Sequence, residues 1–440
     1  MNSGAKSDIA EGSITATTPS RARAEPPRRV RYDAGWLRDM RWLTRKRIVF
    51  YSSVLLLAYM AAATGQFLLS HGLTFKSGAP IGGDFVNPYA GSLAGLAGDP
   101  ASAYDLHQQH MRERALLNDN NFGVLGSFTY PPVYLLMVLP LSLLPYVAAW
   151  LVFEGITLAG YLAVLRRIVS GSVGFLLAIT FPGVIINFMC GQNGFLTTAL
   201  IGGGLLLLDR APILAGFVFG MMSYKPQFAL LIPLALLAAR RWRALAATAA
   251  SAILFSAVSF AVFGAATWRA FLANIPFTQK IVLESGAIHF STLQTMFGAV
   301  RMWDGSVGLA YAFQFAVALY AAAVVLWIWQ SERPFALKAA ALAAGSLMIS
   351  PYVLQYDLVL LALPIAWLAM EGYQKGFLPY EKAMLVVAWL LPRIALPISQ
   401  GAKIPIGPIV IVAVMTAVVR RAIYRESASV EQAPPRPLRA

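Results

Sequence analysis

Charge is what this chain has least of. Only 12% of its 440 residues are Asp, Glu, Lys or Arg, against roughly 25% in a soluble globular domain. Cysteine is nearly missing. Cys190 stands alone, so no intrachain disulfide can form and the redox compartment is not legible. The four histidines, His71, His107, His110 and His289, are dispersed, which argues against a histidine-based metal site. There is no Walker A loop, no dinucleotide-binding glycine motif at a strand–helix turn and no HExxH helix. No repeat with a period of 20–50 residues is visible, and little sequence remains outside the apolar runs to fold a soluble nucleotide-sugar domain.

What is abundant is hydrophobic residue, 58% of the chain, with a mean hydropathy of +0.63. Successive apolar runs from Ile48 to Val419 imply an all-α polytopic membrane protein with about 12 transmembrane helices of about 20 residues each. The net charge of +15 sits in the termini and between the runs, as positive-inside loops require, and not in a nucleic-acid-binding patch. Residues 1–47 carry eleven Lys/Arg and five Asp/Glu and read as a disordered cytoplasmic tail. Residues 48–420 form the membrane domain and 421–440 a second cytoplasmic tail. The first apolar run starts too late for an ordinary cleaved signal peptide, so it is expected to remain as the first crossing. Beyond it, residues 70–130 form a long outer loop with three Lys/Arg and five acidic residues.

The clusters Arg166-Arg167, Arg240-Arg241-Trp242-Arg243 and Arg420-Arg421 are expected in the cytoplasm. Alternation then puts Gln192, Lys225, the 265–305 loop, Gln355 and Asp357 together outside. One conflict remains. If residues 131–145 and 147–165 both cross, Arg166-Arg167 falls on the wrong side, so one of the two is re-entrant or the arginines break the rule.

Polar interruptions between the runs supply the candidate site. Lys225, in Tyr224-Lys225-Pro226-Gln227, is costly between bilayer-length runs unless it meets water, a partner or an anion. The following proline favours a break there, and an ammonium suits a phosphate as a point charge. A snorkelling lysine at the interface is the plain alternative. Asp84 follows Gly82-Gly83 just past the first crossing, and its carboxylate can serve as a general base or simply cap a helix. Gln192 and Asn193 lie in Gly191-Gln192-Asn193-Gly194, either a bare tight turn or a pair of amides for sugar or phosphate oxygens. Tyr130 precedes Pro131-Pro132, a common helix opening. Tyr352, Gln355 and Asp357 interrupt another run, where Asp357 can pair with a cation or cap the next helix. Glu154 lies within an apolar run, and His289 in the second outer loop is a solvated histidine or a proton or phosphate contact.

Taken in order, Gly83-Asp84-Phe85, Pro88-Tyr89, Ala97-Gly98-Asp99-Pro100 and Tyr104-Asp105 resemble the first outer loop of glycosyltransferase family 87. Tyr130-Pro131-Pro132, Gly191-Gln192-Asn193-Gly194 and Tyr224-Lys225-Pro226-Gln227 resemble its later motifs, over roughly residues 48–420. The resemblance implies a GT-C fold and an integral membrane enzyme of the plasma (inner) membrane with both termini cytoplasmic. It implies transfer of a hexose, usually mannose, from a polyprenyl-phosphate-linked sugar donor to a lipid or glycan acceptor at the periplasmic face. It also makes Asp84 the catalytic base. Lys225, Gln192, Asn193, Gln227, Tyr130 and His289 would then hold donor phosphate or sugar, supported by Tyr352, Gln355 and Asp357. Partners are the donor, the acceptor and membrane lipids, with no nucleic acid. No cofactor is required; the acidic loop permits a divalent metal without demanding one. A transporter or flippase of a lipid-linked or anionic substrate would use similar broken helices, but it gives the acidic outer loop no task.

Overall fold

The computed structural model describes residues 35–119, 123, 126–169 and 171–431, with side chains to residue 424. The expected tails lie largely outside this range; of them, Gly35–Asp39 is a short helix, and the final helix runs on to Glu431. Among the described residues there are helices and no strands, only two isolated bridges within residues 71–80. An all-α polytopic architecture follows from the composition, because in lipid a helix satisfies its own backbone groups.

Among the described residues, eight helices are long and apolar enough to cross a membrane: Arg45–Leu68, Tyr146–Ile168, Gly171–Cys190, Trp242–Glu284, Val307–Gln330, Gln355–Lys375, Glu381–Ala402 and Ile406–Tyr424. Five shorter apolar helices cover Pro132–Leu143, Gly194–Leu207, Pro212–Tyr224, Pro226–Ala238 and Phe335–Ile349. Their starts are legible locally. Proline occupies the first turn of the helices at Pro132, Pro182, Pro212 and Pro226, where a missing N–H costs nothing. Thr44 and Ser306 cap two of the long helices with their hydroxyls.

The bundle has two distinct ends. At one, Arg241 meets Asp209 at 2.5 Å, and Lys338 lies within electrostatic reach of Arg241, Asp209 and Glu332. The Glu381–Arg421 pair and the Arg420 bond to the Pro379 carbonyl, 2.7 Å, belong to the same class of charged helix end. At the other end sit the first long loop and the breaks at 191–194, 224–226 and 350–357. Four of the short apolar helices run between these ends. The fifth, Pro132–Leu143, does not. Tyr104 donates to the Tyr130 carbonyl at 3.0 Å just before it, and Tyr89 donates to the Leu144 carbonyl at 2.7 Å just after it. Both of its ends are thus bound by the first loop. Twelve residues span only about 18 Å, short of the roughly 30 Å hydrocarbon layer. The next helix starts at that same end, where Tyr146 donates to the Ile81 carbonyl at 2.5 Å, and delivers Arg166-Arg167 to the opposite end. Of the two ways out of the charge-alternation conflict, a 132–143 segment bound at both ends by the first loop matches the re-entrant one.

The first loop is seated on the bundle by backbone contact. Gly82, Gly83 and Gly191 all have positive φ, at 79°, 52° and 59°. A Cβ on Gly191 would lie 1.8 Å from the Gly82 carbonyl oxygen, and one on Gly83 would lie 2.6 Å from the Cys190 oxygen. Only glycine fits this approach. Gly191→Ala is therefore expected to lower the melting temperature of the detergent-purified protein far more than Gly98→Ala. Gly98 also has positive φ (81°) but open space around it, so alanine there costs only the backbone strain of about 1–2 kcal/mol.

Candidate functional site

The glycine contact brings Asp84 and Gln192 together across 108 residues of sequence: Gln192 Nε2 donates to Asp84 Oδ2 at 2.8 Å. The Gln192 side-chain oxygen, Oε1, faces the Tyr130 hydroxyl, 3.4 Å away. A hydroxyl donor on that side fixes which way the amide points, so its N–H₂ is committed to Asp84. Asp84, Gln192, Tyr130 and Tyr352 are all half-buried and form the accessible layer of the site. Burial pushes the Asp84 carboxyl above the usual carboxylate range, and the Gln192 hydrogen bond partly offsets this. Burial likewise raises the Tyr130 and Tyr352 phenols, and Tyr352 feels the charges of both Asp357 and Asp84.

Beneath this layer is a sealed one. Lys225 is 1% exposed and Asp357 2%. Lys225 Nζ donates to Asp357 Oδ1 at 2.6 Å and to Asn193 Oδ1 at 2.9 Å. Asp357 Oδ2 accepts from Leu354 N at 3.0 Å, so this carboxylate both pairs with a cation and caps the next helix. The ammonium also lies 4.9 Å from the Phe228 ring centre and 5.7 Å from that of Tyr356. Lys225 was expected to present a cation to a phosphate; in the structure its charge is met inside the protein. Asn187 braces the Gly191–Gly194 turn from below. Its Nδ2 donates to the Gln192 carbonyl at 2.8 Å and its Oδ1 accepts from Gly194 N at 2.9 Å. Asn187 Nδ2 also lies 3.3 Å from Glu154 Oε2, so Glu154 is tied to the site through Asn187. Asn193 Nδ2 is buried without a hydrogen-bond partner among the described residues.

The remaining expected residues fall outside this network. Gln227 is half-buried and joins none of these bonds. Gln355 turns to the Pro392 carbonyl, 2.5 Å away. His289 Nδ1 lies 2.6 Å from Ser291 Oγ, in a loop docked on the 351–353 backbone by Gln294 N to Val353 O, 2.8 Å, and Thr295 Oγ1 to Pro351 O, 3.0 Å. Among the described residues no group of three or more His, Cys, Asp or Glu side chains could hold a metal ion.

Sequence reasoning missed Tyr224, Asn187 and Glu113. Tyr224 Oη lies 2.6 Å from Thr197 Oγ1, against the Asn193 turn. Glu113 is fully buried on the loop helix Leu106–Leu117, where Oε1 accepts from Asn87 Nδ2 at 2.8 Å. Gln109 Nε2 in turn donates to the Asn87 carbonyl at 2.8 Å. This clamp holds the loop helix to the helix that follows Asp84. The signal was there in part: Gln109 and Glu113 are four apart and share a helix face.

A model of glycosyltransferase family 87 matches residues 128–351, just over half of the chain, and the chain belongs to that family. No curated protein and no solved structure matches it. It is a membrane glycosyltransferase.

Two outcomes follow from the buried charges. Lys225→Met should cost about 3–5 kcal/mol by stranding Asp357, whereas Lys225→Met with Asp357→Leu should recover most of it; denaturation of the purified variants reads both. Burial raises Glu113 to about 7 from 4.5. Because the folded state favours the neutral acid, its stabilisation is complete below pH 4.5 and is lost as pH rises through 7. At about 1.4 kcal/mol per pH unit, the loss approaches about 3 kcal/mol. Limited proteolysis of the loop helix should accelerate over that window in the wild type, and Glu113→Gln should flatten the dependence.

Proposed function

We propose that this enzyme transfers a hexose, mannose by family resemblance, from a polyprenyl-phosphate donor to a hydroxyl of a lipid or glycan acceptor, with inversion. The observation that carries the reading is the half-buried Asp84, held on one oxygen by Gln192 and raised in pKa by its surroundings. A carboxylate whose pKa moves toward neutrality is a better match for abstracting a hydroxyl proton.

The chemistry is one displacement. The acceptor oxygen forms a bond to the anomeric carbon as its proton passes to Asp84. The bond from that carbon to the phosphate oxygen breaks, and the lipid phosphate leaves with the electron pair. Gln192 keeps the carboxylate oriented, and Tyr130 keeps Gln192 oriented. Asn193, sealed beneath the site, turns its amide toward the Tyr130 and Tyr134 phenols and so steadies the rings that line it. Lys225 acts from below, pinning Asn193 and hence the turn that carries Gln192. The basic helix ends lie opposite the site, as they would with twelve crossings, both termini cytoplasmic and chemistry at the outer face of the plasma membrane.

Asp84→Asn should remove turnover of a polyprenyl-phosphate sugar while the protein remains folded; near wild-type turnover would reject the base assignment. The acid limb of kcat/KM should lie above the ordinary aspartate range. Gln192→Leu should move that limb to higher pH, since it deletes the one hydrogen bond that stabilises the charged carboxylate.

A further inference from the structure

The helix Tyr146–Ile168 touches both turns that make the site. Tyr146, Trp150 and Glu154 are four apart and share a face, with Phe153 beside them. Three of these four hold the turn that carries Asp84. Tyr146 donates to the Ile81 carbonyl at 2.5 Å. A Cβ on Gly82 would lie 3.0 Å from Trp150 Cγ, so the indole closes directly on that backbone. The Phe153 ring stacks on that of Phe85, with 5.4 Å between centres.

The fourth, Glu154, holds the other turn. It is fully buried, about 12 Å into the crossing, where a carboxyl is costly. Its Oε1 has no hydrogen-bond partner among the described residues, and its Oε2 is met by Asn187 Nδ2 at 3.3 Å. Asn187 is equally buried and commits its other bonds to the Gly191–Gly194 turn, donating to the Gln192 carbonyl and accepting from Gly194 N. A Cβ on Gly194 would lie 2.4 Å from Asn187 Oδ1, so amide and turn move as one. The two hydrogens on Nδ2 serve the Gln192 carbonyl and Glu154 Oε2, and an acceptor on that side fixes which way the amide faces. The one contact made by the Glu154 carboxyl thus ends on the segment that aims Gln192 at Asp84.

We propose that Glu154 is a positioning residue of the transfer reaction, acting through Asn187 to hold Gln192 against Asp84. The helix Tyr146–Ile168 then sets the spacing between the two turns: its aromatic residues place Asp84 and its acid places Gln192. The consequence for turnover rests on the base role proposed above for Asp84, whereas the consequence for Asp84 itself does not.

Purified wild type, Glu154→Met, Glu154→Gln, Gln192→Leu and the double variant Glu154→Met with Gln192→Leu are compared, each checked for folding by its melting temperature. Protonation of Asp84 is followed by infrared spectroscopy, its carboxyl band being the one missing from Asp84→Asn, and the acid limb of kcat/KM is measured alongside. The other titratable groups that feel the Asp84 charge, Glu113, Tyr146, Cys190, Tyr352 and Tyr356, are the same in every variant. Gln192→Leu should raise the Asp84 midpoint by about one pH unit and Glu154→Met by about half as much, as loss and loosening of one hydrogen bond imply. Glu154→Gln, which keeps an acceptor oxygen, should return the midpoint most of the way. In the Gln192→Leu background, Glu154→Met should add no shift. A residue that merely packs would lower the melting temperature in both backgrounds and leave the midpoint in place. An unmoved midpoint in Glu154→Met, a full shift in Glu154→Gln, or additive shifts in the double variant would each overturn the positioning role. Wild-type turnover by Asp84→Asn would instead reject the base role, with the infrared midpoints still deciding the positioning. Should Glu154→Met not fold, Glu154→Leu carries the same expectations.

Discussion

The Lys225–Asp357 ion pair is the point on which the site end of this bundle depends. It joins residues 132 positions apart, each at a break between apolar helices, and its third partner, Asn193, lies in another break. Every break inside an apolar bundle frees backbone groups that lipid cannot satisfy. Here the breaks answer one another. Asp357 takes the Leu354 N–H, Asn187 takes the Gly194 N–H, and Lys225 holds Asn193. The polar point that each interruption would otherwise leave exposed becomes part of one connected core. Such a pair contributes little net stability against an apolar replacement, yet losing one member is severe. That asymmetry suits a part whose task is to fix geometry.

The same construction explains why the reacting layer can stay open. Asp84 is not on the bundle. It sits in a short turn of the loop, pressed against the Gly191 turn by a contact that admits no side chain. The loop is closed from its other side by Glu113, Asn87 and Gln109. Half-burial then raises the Asp84 carboxyl without sealing it, and one amide tempers the shift. The base role proposed for Asp84 calls for that combination: enough desolvation to raise its proton affinity, enough access to reach a hydroxyl.

How much of this was legible in the chain depends on the range of the interaction. The helix start at Pro131-Pro132 was legible because a proline opening acts within one turn. The interruptions at Asp84, Gln192, Lys225 and Asp357 were legible because polar residues stand out against apolar runs. Their pairing was not, since a lysine at a break reads the same whether it awaits a phosphate or an aspartate 132 positions on. Gln355 shows the opposite error: its position beside Asp357 suggested the site, yet its amide crosses to another helix. The short path of residues 132–143 was visible only as a contradiction in charge alternation, and its placement became legible with the two tyrosines that bind its ends. Glu113 was hidden by context, because a charged residue in a polar loop gives no hint of full burial.

Ion pairs between helices show what placing a charge inside this bundle requires. Burying Lys225 required a carboxylate, an amide and two aromatic rings around it. Glu381 and Arg421 meet the same requirement on neighbouring helices, carboxylate against guanidinium. Each charge kept from water thus ties two breaks or helix ends together, so that the cost of burying it becomes a means of fixing their positions.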